Sequence, residues 1–297
     1  MKTILVTGAT GAQGGSVARF LLKGNYHVKC LTRNPDSDAA KALKGLGAEI
    51  VKGDLADKAS IVNAIQGCDG VFGTTNFWEH FDGELQHGHN LIDAVEAAGI
   101  SHFVLSSLPS SEKLSGGALS VPHFETKAKM ENYCRTKEIP TTFVHPAFYY
   151  ENFLSFFPPQ RYEDGIYRFG FPQGDTPLAG IAIEDLGGIV APIFDDPDRF
   201  IGETVGAVAE DIPAAAYASA MSEVLGQDVQ YSDIPREVFA GFGFPGADDL
   251  AAMFTLNKLY ILNRTEEKML SHELFPGIQS FKQWLQSNKE QFDTFFK

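Results

Sequence analysis

The chain has 297 residues, of which 44% are hydrophobic and 21% charged, a composition typical of a folded globular protein with a sizeable core. Its 38 acidic and 24 basic residues give a formal net charge of −14, and the sequence contains no basic block. This balance argues against direct binding to nucleic acid or to an anionic membrane, because both require a basic face.

The cysteines indicate a reducing compartment. Cys30, Cys68 and Cys134 are far apart and odd in number, and no CxxC pair or His/Cys spacing suggests a metal site. The N-terminus carries only a short apolar stretch, and no apolar run approaches the ~18 residues of a membrane span. We therefore expect no metal, no membrane contact and a cytosolic protein, with the nucleus also open.

Strand and helix patterns alternate in the first half of the chain. The predicted strands are residues 3–6, 27–32, 48–51, 70–74, 102–105 and 141–145, and the predicted helices are residues 13–22, 38–46, 58–65, 84–97 and 123–136. This alternation predicts an α/β fold, with a Rossmann-type doubly wound parallel sheet and right-handed crossovers.

The pattern changes after Pro146, where aromatic and proline residues become frequent. Helical spacing returns at residues 184–194, 213–225 and 247–260, between irregular short strands. We expect two domains: a NAD(P)-binding Rossmann domain at residues 1–150, and a smaller C-terminal α+β lobe at residues 151–297 that completes a cleft. A discontinuous boundary between them stays open.

A glycine-rich loop follows the first predicted strand and opens the first predicted helix, at residues 8–14. Gly8 allows a tight turn, Gly11 lets the backbone approach a pyrophosphate, and Gly14 lets the helix pack closely on the strand. The helix N-terminus offers N–H groups and a positive dipole end to phosphates. Because strand, loop, helix and second strand form one unit of ~30 residues, the pattern favours a dinucleotide site over a structural turn.

The end of the second strand favours NADP over NAD. Arg33 lies 19 residues after Gly14, where NAD-binding proteins usually carry a carboxylate for the ribose 2′-hydroxyl. A guanidinium instead suits a 2′-phosphate. An exposed arginine without this role is the alternative, and Asp36 and Asp38 could pair with it or weaken its preference for anions. Asp54, after the third strand, could face the adenine or cap the next helix.

Several segments resemble the NmrA-like family, a branch of the atypical short-chain dehydrogenases/reductases. These segments are residues 7–17, 32–35, 75–79, 123–127, 150–154, 243–247 and 249–251, and they span nearly the whole chain in the family's order. The resemblance implies a Rossmann lobe, a small α/β lobe and NADP(H) binding in the cleft between them. It also implies regulation by redox state through a protein partner, with a homodimer open and no established turnover.

The resemblance further implies which positions hold the cofactor. Those at the phosphates are Gly8, Thr10, Gly11, Ala12, Gln13 and Gly14, and those at the 2′-phosphate end are Arg33 and Asn34, with Asp54 toward the adenine. Thr75, Asn76 and Phe77 follow strand four, Lys127 reaches the nicotinamide ribose, and Tyr149, Tyr150, Glu151 and Asn152 line the nicotinamide end. Ser37 departs from the pattern, because a basic residue at this position would help to hold the 2′-phosphate.

The tyrosine of active reductases is absent. Reductases that resemble this fold use Tyr-x-x-x-Lys on the helix before strand six, where the tyrosine protonates the carbonyl oxygen as hydride arrives. Here the pair is His123 and Lys127. His123, with an unperturbed pKa of ~6.5, could donate the proton or could simply cap the helix. Ser106, at the end of strand five, could orient the carbonyl.

Two functions therefore stay open. The first is a non-catalytic NADP(H) redox sensor that passes cofactor occupancy to a protein partner, and the missing tyrosine favours it. The second is an NADPH-dependent reductase of a carbonyl or quinone, because Lys127 is kept and the aromatic residues at 148–157 could line an apolar pocket as well as pack a core. A transcription factor that touches DNA directly is disfavoured by the net charge of −14.

Overall fold

The computed structural model describes residues 1–296. Up to Pro146 the elements are β1 Lys2–Val6, α1 Ala12–Lys23, β2 Tyr26–Thr32, α2 Asp38–Gly45, β3 Glu49–Lys52, α3 Lys58–Ile65, β4 Gly70–Gly73, α4 Glu84–Ala98, β5 His102–Ser106, α5 Ser111–Leu114, α6 Pro122–Arg135 and β6 Thr141–Pro146.

The later elements are shorter and less regular. They are β7 Phe148–Tyr149, β8 Gln160–Arg161, β9 Tyr167–Phe171, β10 Leu178–Ile181, α7 Leu186–Asp195, α8 Pro197–Phe200, β11 Thr204–Ala207, β12 Glu210–Ile212, α9 Ala214–Leu225, β13 Val229–Asp233, α10 Arg236–Ala240, α11 Ala247–Tyr260, α12 Thr265–Leu274 and α13 Phe281–Phe292, with 3₁₀ turns at Tyr150–Leu154 and Ile183–Asp185.

The central sheet has seven strands in the order β11-β6-β5-β4-β1-β2-β3. β1 pairs in parallel with both β2 and β4, and parallel pairing continues outward to β3 and to β6. The predicted doubly wound Rossmann-type sheet is therefore confirmed. The strand order reverses between β1 and β4, and ligands of open α/β sheets bind beyond the carboxyl ends of the strands at such a switch point.

Apolar strands explain why the sheet is buried. Every residue of β4 and β5 is buried, as expected for strands covered by helices on both faces. Leu5, Val71 and Phe103 of the sheet pack with Leu91 and Val95 of α4 in one core cluster. Each such side chain contributes about 1.5–3 kcal/mol when fully buried, so the cluster fixes the strand ends that carry the candidate site.

The chain divides into two compact units. The first contains residues 1–110, 123–146 and 183–206, and the second contains residues 111–122, 147–182 and the chain from 207 onward. The second unit is thus assembled from three separate stretches of sequence. Within residues 1–296, no helix combines the length and the apolar character needed to cross a bilayer.

The second unit contains two three-stranded sheets and an aromatic core. The sheets have the orders β12-β10-β7 and β13-β9-β8. Phe153 and Phe157 are buried, and Phe157 packs on Phe171 and Phe254, whose rings stack at 4.2 Å. Core packing is therefore what these two phenylalanines do, while Phe156 remains 48% exposed.

Candidate dinucleotide-binding site

The glycine loop has the backbone that a close approach of helix and strand requires. Gly8 has φ of +59°, a left-handed conformation that favours glycine, and a Cβ there would lie 2.8 Å from a methyl of Thr74. A Cβ on Gly14 would lie 2.4 Å from the carbonyl oxygens of Thr7 and Gly8. Gly11 is different, since an added Cβ would meet only the Gly8 carbonyl oxygen, at 3.3 Å. The loop is therefore tightest at its two ends and less tight at its centre.

Helix α1 begins at this loop with an open N-terminus. Its N-cap, Gly11, makes no side-chain capping hydrogen bond. The first N–H groups of the helix and its positive dipole end are thus available to an anion. Next to the loop, the hydroxyl of Ser16 accepts from the Gly187 amide and donates to the Glu184 carbonyl, which ties α1 to α7. The anchoring holds the helix N-terminus at the carboxyl end of β1.

Gln13 connects the loop to two further strand ends. Its Oε1 accepts hydrogen bonds from Ser106 Oγ at 2.7 Å and from Thr74 Oγ1 at 3.3 Å. Thr7 Oγ1 in turn donates to the Thr74 carbonyl and accepts from its amide. These bonds join the carboxyl ends of β1, β4 and β5. They also engage the hydroxyl of Ser106, whose suggested role toward a carbonyl substrate stays a prediction.

Arg33 directly follows β2 and is exposed, with 54% of its side chain accessible. Its guanidinium donates to Glu79 Oε1 at 2.6 Å and lies 3.5 Å from His80 Nε2. The hydrogen bond to Glu79 raises the pKa of Arg33 and lowers that of Glu79. Among the described residues, neither Asp36 nor Asp38 forms an ion pair with Arg33, whose partner is Glu79. An effect of these two carboxylates on its preference for anions stays a prediction.

The other polar residues near this strand end have local partners. Asn34 accepts from the Asp36 amide through its side chain. Asp54 accepts from the Ala56 amide at 2.9 Å. Helix α3 is capped by Asp57, which accepts from the amides of residues 59 and 60. The helix-capping alternative for Asp54 is therefore wrong, and its adenine-facing role stays a prediction.

Lys127, on α6, is inserted into a buried polar cluster. Its ammonium donates to Glu84 Oε1 at 2.5 Å, to Thr75 Oγ1 at 2.6 Å and to the Thr75 carbonyl at 2.8 Å. Thr75 Oγ1 also donates to Glu84 Oε1. Burial lowers the pKa of Lys127, and the Glu84 carboxylate opposes that shift. All three N–H donors of the ammonium thus have acceptors inside the protein.

Glu84 is a functional candidate that sequence reasoning missed. It is fully buried at the start of α4, and within residues 1–296 its Oε2 has no hydrogen-bond partner. An acidic residue in the first turn of a helix usually reflects the helix dipole, so no sequence signal singled it out. Glu79 was missed as well, although residues 75–79 are one of the segments that resemble the NmrA-like family.

His123 lies among aromatic rings of the loop that joins β4 to α4, residues 74–83. Its ring centroid is 5.3 Å from that of Trp78 and 5.9 Å from that of Phe77, and only 8% of the residue is exposed. Phe77 also packs on Phe81. Of the two loop residues predicted at the cofactor, Asn76 donates to Glu79, the partner of Arg33, and Phe77 lies beside His123.

The four residues expected at the nicotinamide end belong to the second unit. Tyr150 is fully buried there among the rings of Tyr217, Phe281 and Trp284. Glu151 accepts a hydrogen bond from the indole of Trp284 at 3.2 Å. Tyr149 ends β7, and Asn152 lies in the following 3₁₀ turn. Their assignment to the cofactor stays a prediction.

A parallel sheet with its switch point, a glycine loop at the end of β1 and an open helix N-terminus define a Rossmann-type dinucleotide-binding fold. The model of the NmrA-like family matches residues 1–285, and the chain belongs to this family. An NmrA-like oxidoreductase from Aspergillus hancockii is 35% identical over 278 residues, which cover 86% of this chain and 83% of that protein. An NmrA-like protein from Dictyostelium discoideum is 32% identical and covers 78% of this chain and 80% of its own.

Solved structures share the fold. NmrA, a negative transcriptional regulator solved in complex with NADP, superposes with a TM-score of 0.83 at 25% identity, covering 96% of this chain and 94% of its own. NmrA has also been solved in complex with NAD. An NADPH-dependent quinone oxidoreductase from Escherichia coli has a TM-score of 0.79 at 20% identity, covering 99% of this chain and all of its own.

Proposed function

We propose that the protein binds NADP(H) on its first unit and acts as a redox sensor, passing cofactor occupancy to a protein partner without turning over a substrate. The main support for a non-catalytic sensor is that the ammonium of Lys127 donates its three hydrogen bonds to Thr75 and Glu84. The second support is His123, which stands where the reductases of this fold have their proton-donating tyrosine.

The residues of the first unit fit a dinucleotide. Gly11 has no side chain to block a close approach to the backbone beside an uncapped helix N-terminus, which suits a pyrophosphate. Arg33 supplies an exposed guanidinium directly after β2, and its positive charge suits a 2′-phosphate. NmrA, at 25% identity, was solved with NADP and with NAD, so the preference for NADP rests on Arg33.

The polar cluster supports the proposal that Lys127 takes no part in acid–base chemistry. A lysine that positions a nicotinamide ribose or lowers a neighbouring pKa must direct an N–H at that group. Here the ammonium bridges Thr75, near the beginning of the β4–α4 loop, and Glu84, at the start of α4. The cluster therefore fixes a loop at the cofactor side of the sheet, and we infer that cofactor occupancy is transmitted through such loops.

A second candidate is an NADPH-dependent reductase of a carbonyl or quinone. Its support is that the relative from Aspergillus hancockii, 35% identical, is named an oxidoreductase. NADPH would supply the hydride, and the resulting alkoxide needs a proton. His123 would have to donate it, and the rings of Phe77 and Trp78 beside it would offer an apolar surface to the substrate.

One experiment separates the two. NADPH oxidation is measured with a panel of aldehydes, ketones and quinones, and NADPH binding is measured in parallel by calorimetry. We expect binding with no more than background oxidation. The His27→Ala variant is the matched control, because His27 lies in β2 and its ring is 40% exposed. Robust turnover that is lost in His123→Ala but kept in His27→Ala would establish the reductase and refute the sensor.

A further inference from the structure

The guanidinium assigned to the 2′-phosphate is already paired with an anion of the protein. Arg33 Nη2 donates to Glu79 Oε1 at 2.6 Å, and Asn76 Nδ2 donates to the other oxygen of Glu79 at 3.3 Å. The pair is accessible, with 54% of the Arg33 side chain and 46% of the Glu79 side chain exposed. It is therefore weak enough to exchange with a competing anion in solution.

A carboxylate at this place opposes a 2′-phosphate in two ways. It occupies the N–H groups of Arg33 that the phosphate needs, and it repels a phosphate that comes near the guanidinium. A ribose 2′-hydroxyl is not repelled, because it carries no charge, and its binding depends far less on the N–H groups of Arg33 than that of a phosphate does. Asp36 and Asp38 are closer to Arg33 in sequence, yet among residues 1–296 it is Glu79 that forms the ion pair.

We propose that Glu79 is an internal competitor for the 2′-phosphate of NADP(H). This inference rests on the proposed binding of NADP(H) at Arg33. Glu79 holds Arg33 while the 2′-phosphate is absent and releases it when the phosphate binds. The carboxylate therefore lowers the affinity for NADP(H), leaves that for NAD(H) nearly unchanged, and sets the ratio between the two.

We expect the release of Glu79 also to affect the aromatic side chains of the β4–α4 loop. Glu79 directly follows Trp78, whose ring packs on His123 at 5.3 Å and on Phe81 at 6.0 Å. Under this proposal, release of Glu79 frees the side chain of the residue next to Trp78, so we expect the surroundings of that ring to change. The pair couples the 2′-phosphate to the surroundings of His123, which distinguishes it from a surface ion pair without consequence.

The affinity test compares NADP⁺ and NAD⁺ by calorimetry in the wild type and in Glu79→Gln and Glu79→Ala. Asp82→Asn is the matched control, because it removes one negative charge from an exposed position in the same loop. We expect the two Glu79 variants to bind NADP⁺ roughly three- to tenfold more tightly, from loss of the surface pair and of the repulsion. NAD⁺ affinity should change less than twofold, and Asp82→Asn should behave as the wild type.

The coupling is tested by tryptophan fluorescence with 2′,5′-ADP and 5′-AMP, which differ only in the 2′-phosphate. In the wild type, we expect 2′,5′-ADP to change the emission more than 5′-AMP does. The difference should vanish in Trp78→Phe, which leaves the buried Trp284 as the constant reporter, and should shrink in Glu79→Gln, whose loop is already released.

Three outcomes would overturn the competition. One is an equal gain for NADP⁺ and NAD⁺ in Glu79→Gln, or the same gain in Asp82→Asn, since either is a general charge effect. Another is NADP⁺ binding by the wild type with no gain in either Glu79 variant. A wild type that binds neither dinucleotide would remove the proposed function itself, and the competition with it.

Discussion

Within the phosphate loop, Gly14 and Gly11 differ in what an added side chain would meet. A Cβ on Gly14 collides with two backbone carbonyls at 2.4 Å, whereas on Gly11 the single contact is at 3.3 Å. We expect Gly14→Ala to lower the free energy of unfolding by about 1–3 kcal/mol or more, because backbone cannot move aside cheaply. Gly11→Val should keep most of the stability and lose NADPH binding, because its side chain fills the space of the pyrophosphate.

Denaturant unfolding and NADPH calorimetry on the same two variants check this pair of expectations. Gly15→Ala is a useful third variant, since its Cβ would meet one carbonyl oxygen at 3.1 Å and the movable end of Arg19 at 3.2 Å. A stable Gly14→Ala would contradict the tight packing of helix on strand at this position. A Gly11→Val that binds NADPH normally would place the phosphate site elsewhere.

The Lys127–Glu84 pair is a second test at the scale of single residues. Both side chains are buried, so removing one partner leaves an uncompensated charge. We expect Lys127→Met and Glu84→Leu each to cost about 3–5 kcal/mol of unfolding free energy, and the double variant to cost much less than their sum. Urea unfolding of the three proteins measures this. Single losses below about 1 kcal/mol would mean that the pair contributes as little as an exposed one.

The sequence allowed part of the site to be predicted. The glycines and the arginine stand at fixed distances from strand ends, which is a local signal, so the loop and Arg33 could be proposed without a structure. Glu79 and Glu84 could not, because their partners lie 46 and 43 residues away in the chain. Such pairs depend on the tertiary packing of the β4–α4 loop and α4 against other elements. A local sequence pattern does not contain this information.

Among the elements, α6 is fastened to the sheet by the carboxylate of Glu131. Glu131 accepts from His145 of β6 at 2.9 Å, from Ser107 after β5 at 2.7 Å and from Arg135 one turn along α6 at 2.8 Å. Burial alone would raise the pKa of Glu131, but these hydrogen bonds and the nearby charges together lower it to about 2. The ionised form is therefore the one that the fold stabilises.

This predicts a pH-dependent contribution from Glu131. Its pKa is lower in the folded state than its unperturbed value of about 4.3, so its stabilisation is present above that value and disappears as the pH falls toward 2. We expect Glu131→Gln to be less stable than the wild type at pH 7, with the difference shrinking below pH 4. Urea unfolding from pH 7 to pH 3 measures it, and a difference independent of pH would contradict the assignment.

The regular elements were predictable and the short ones were not. Helices α3 and α11 have the predicted bounds, because their apolar spacing and flanking residues are local signals. The two- to five-residue strands of the second unit and β11 at the sheet edge were missed, since their pairing depends on distant partners. Helix α13 was also missed, although Ser280 and Gln283 form a capping box that the sequence contains.

For the whole molecule, a sensor requires that cofactor binding change the local stability of particular segments. We expect saturating NADP⁺ to slow amide hydrogen exchange at residues 8–14 and 75–83, because ordering at the phosphate loop and at the β4–α4 loop reduces local opening. Gly11→Val, which should not bind, is the control. Unchanged exchange in the wild type at saturation would contradict the sensor, because occupancy would then alter nothing that a partner could detect.

We propose that the first unit holds NADP(H) through the glycine loop and Arg33. This is measured by calorimetric titration of NADPH and NADH into the wild type and Arg33→Ala. NADPH should bind more tightly than NADH by at least about 1–2 kcal/mol, as expected of a charge-assisted pair, and Arg33→Ala should remove most of that difference. Equal affinities in the wild type, or a preference that survives in Arg33→Ala, would show that Arg33 does not select the 2′-phosphate.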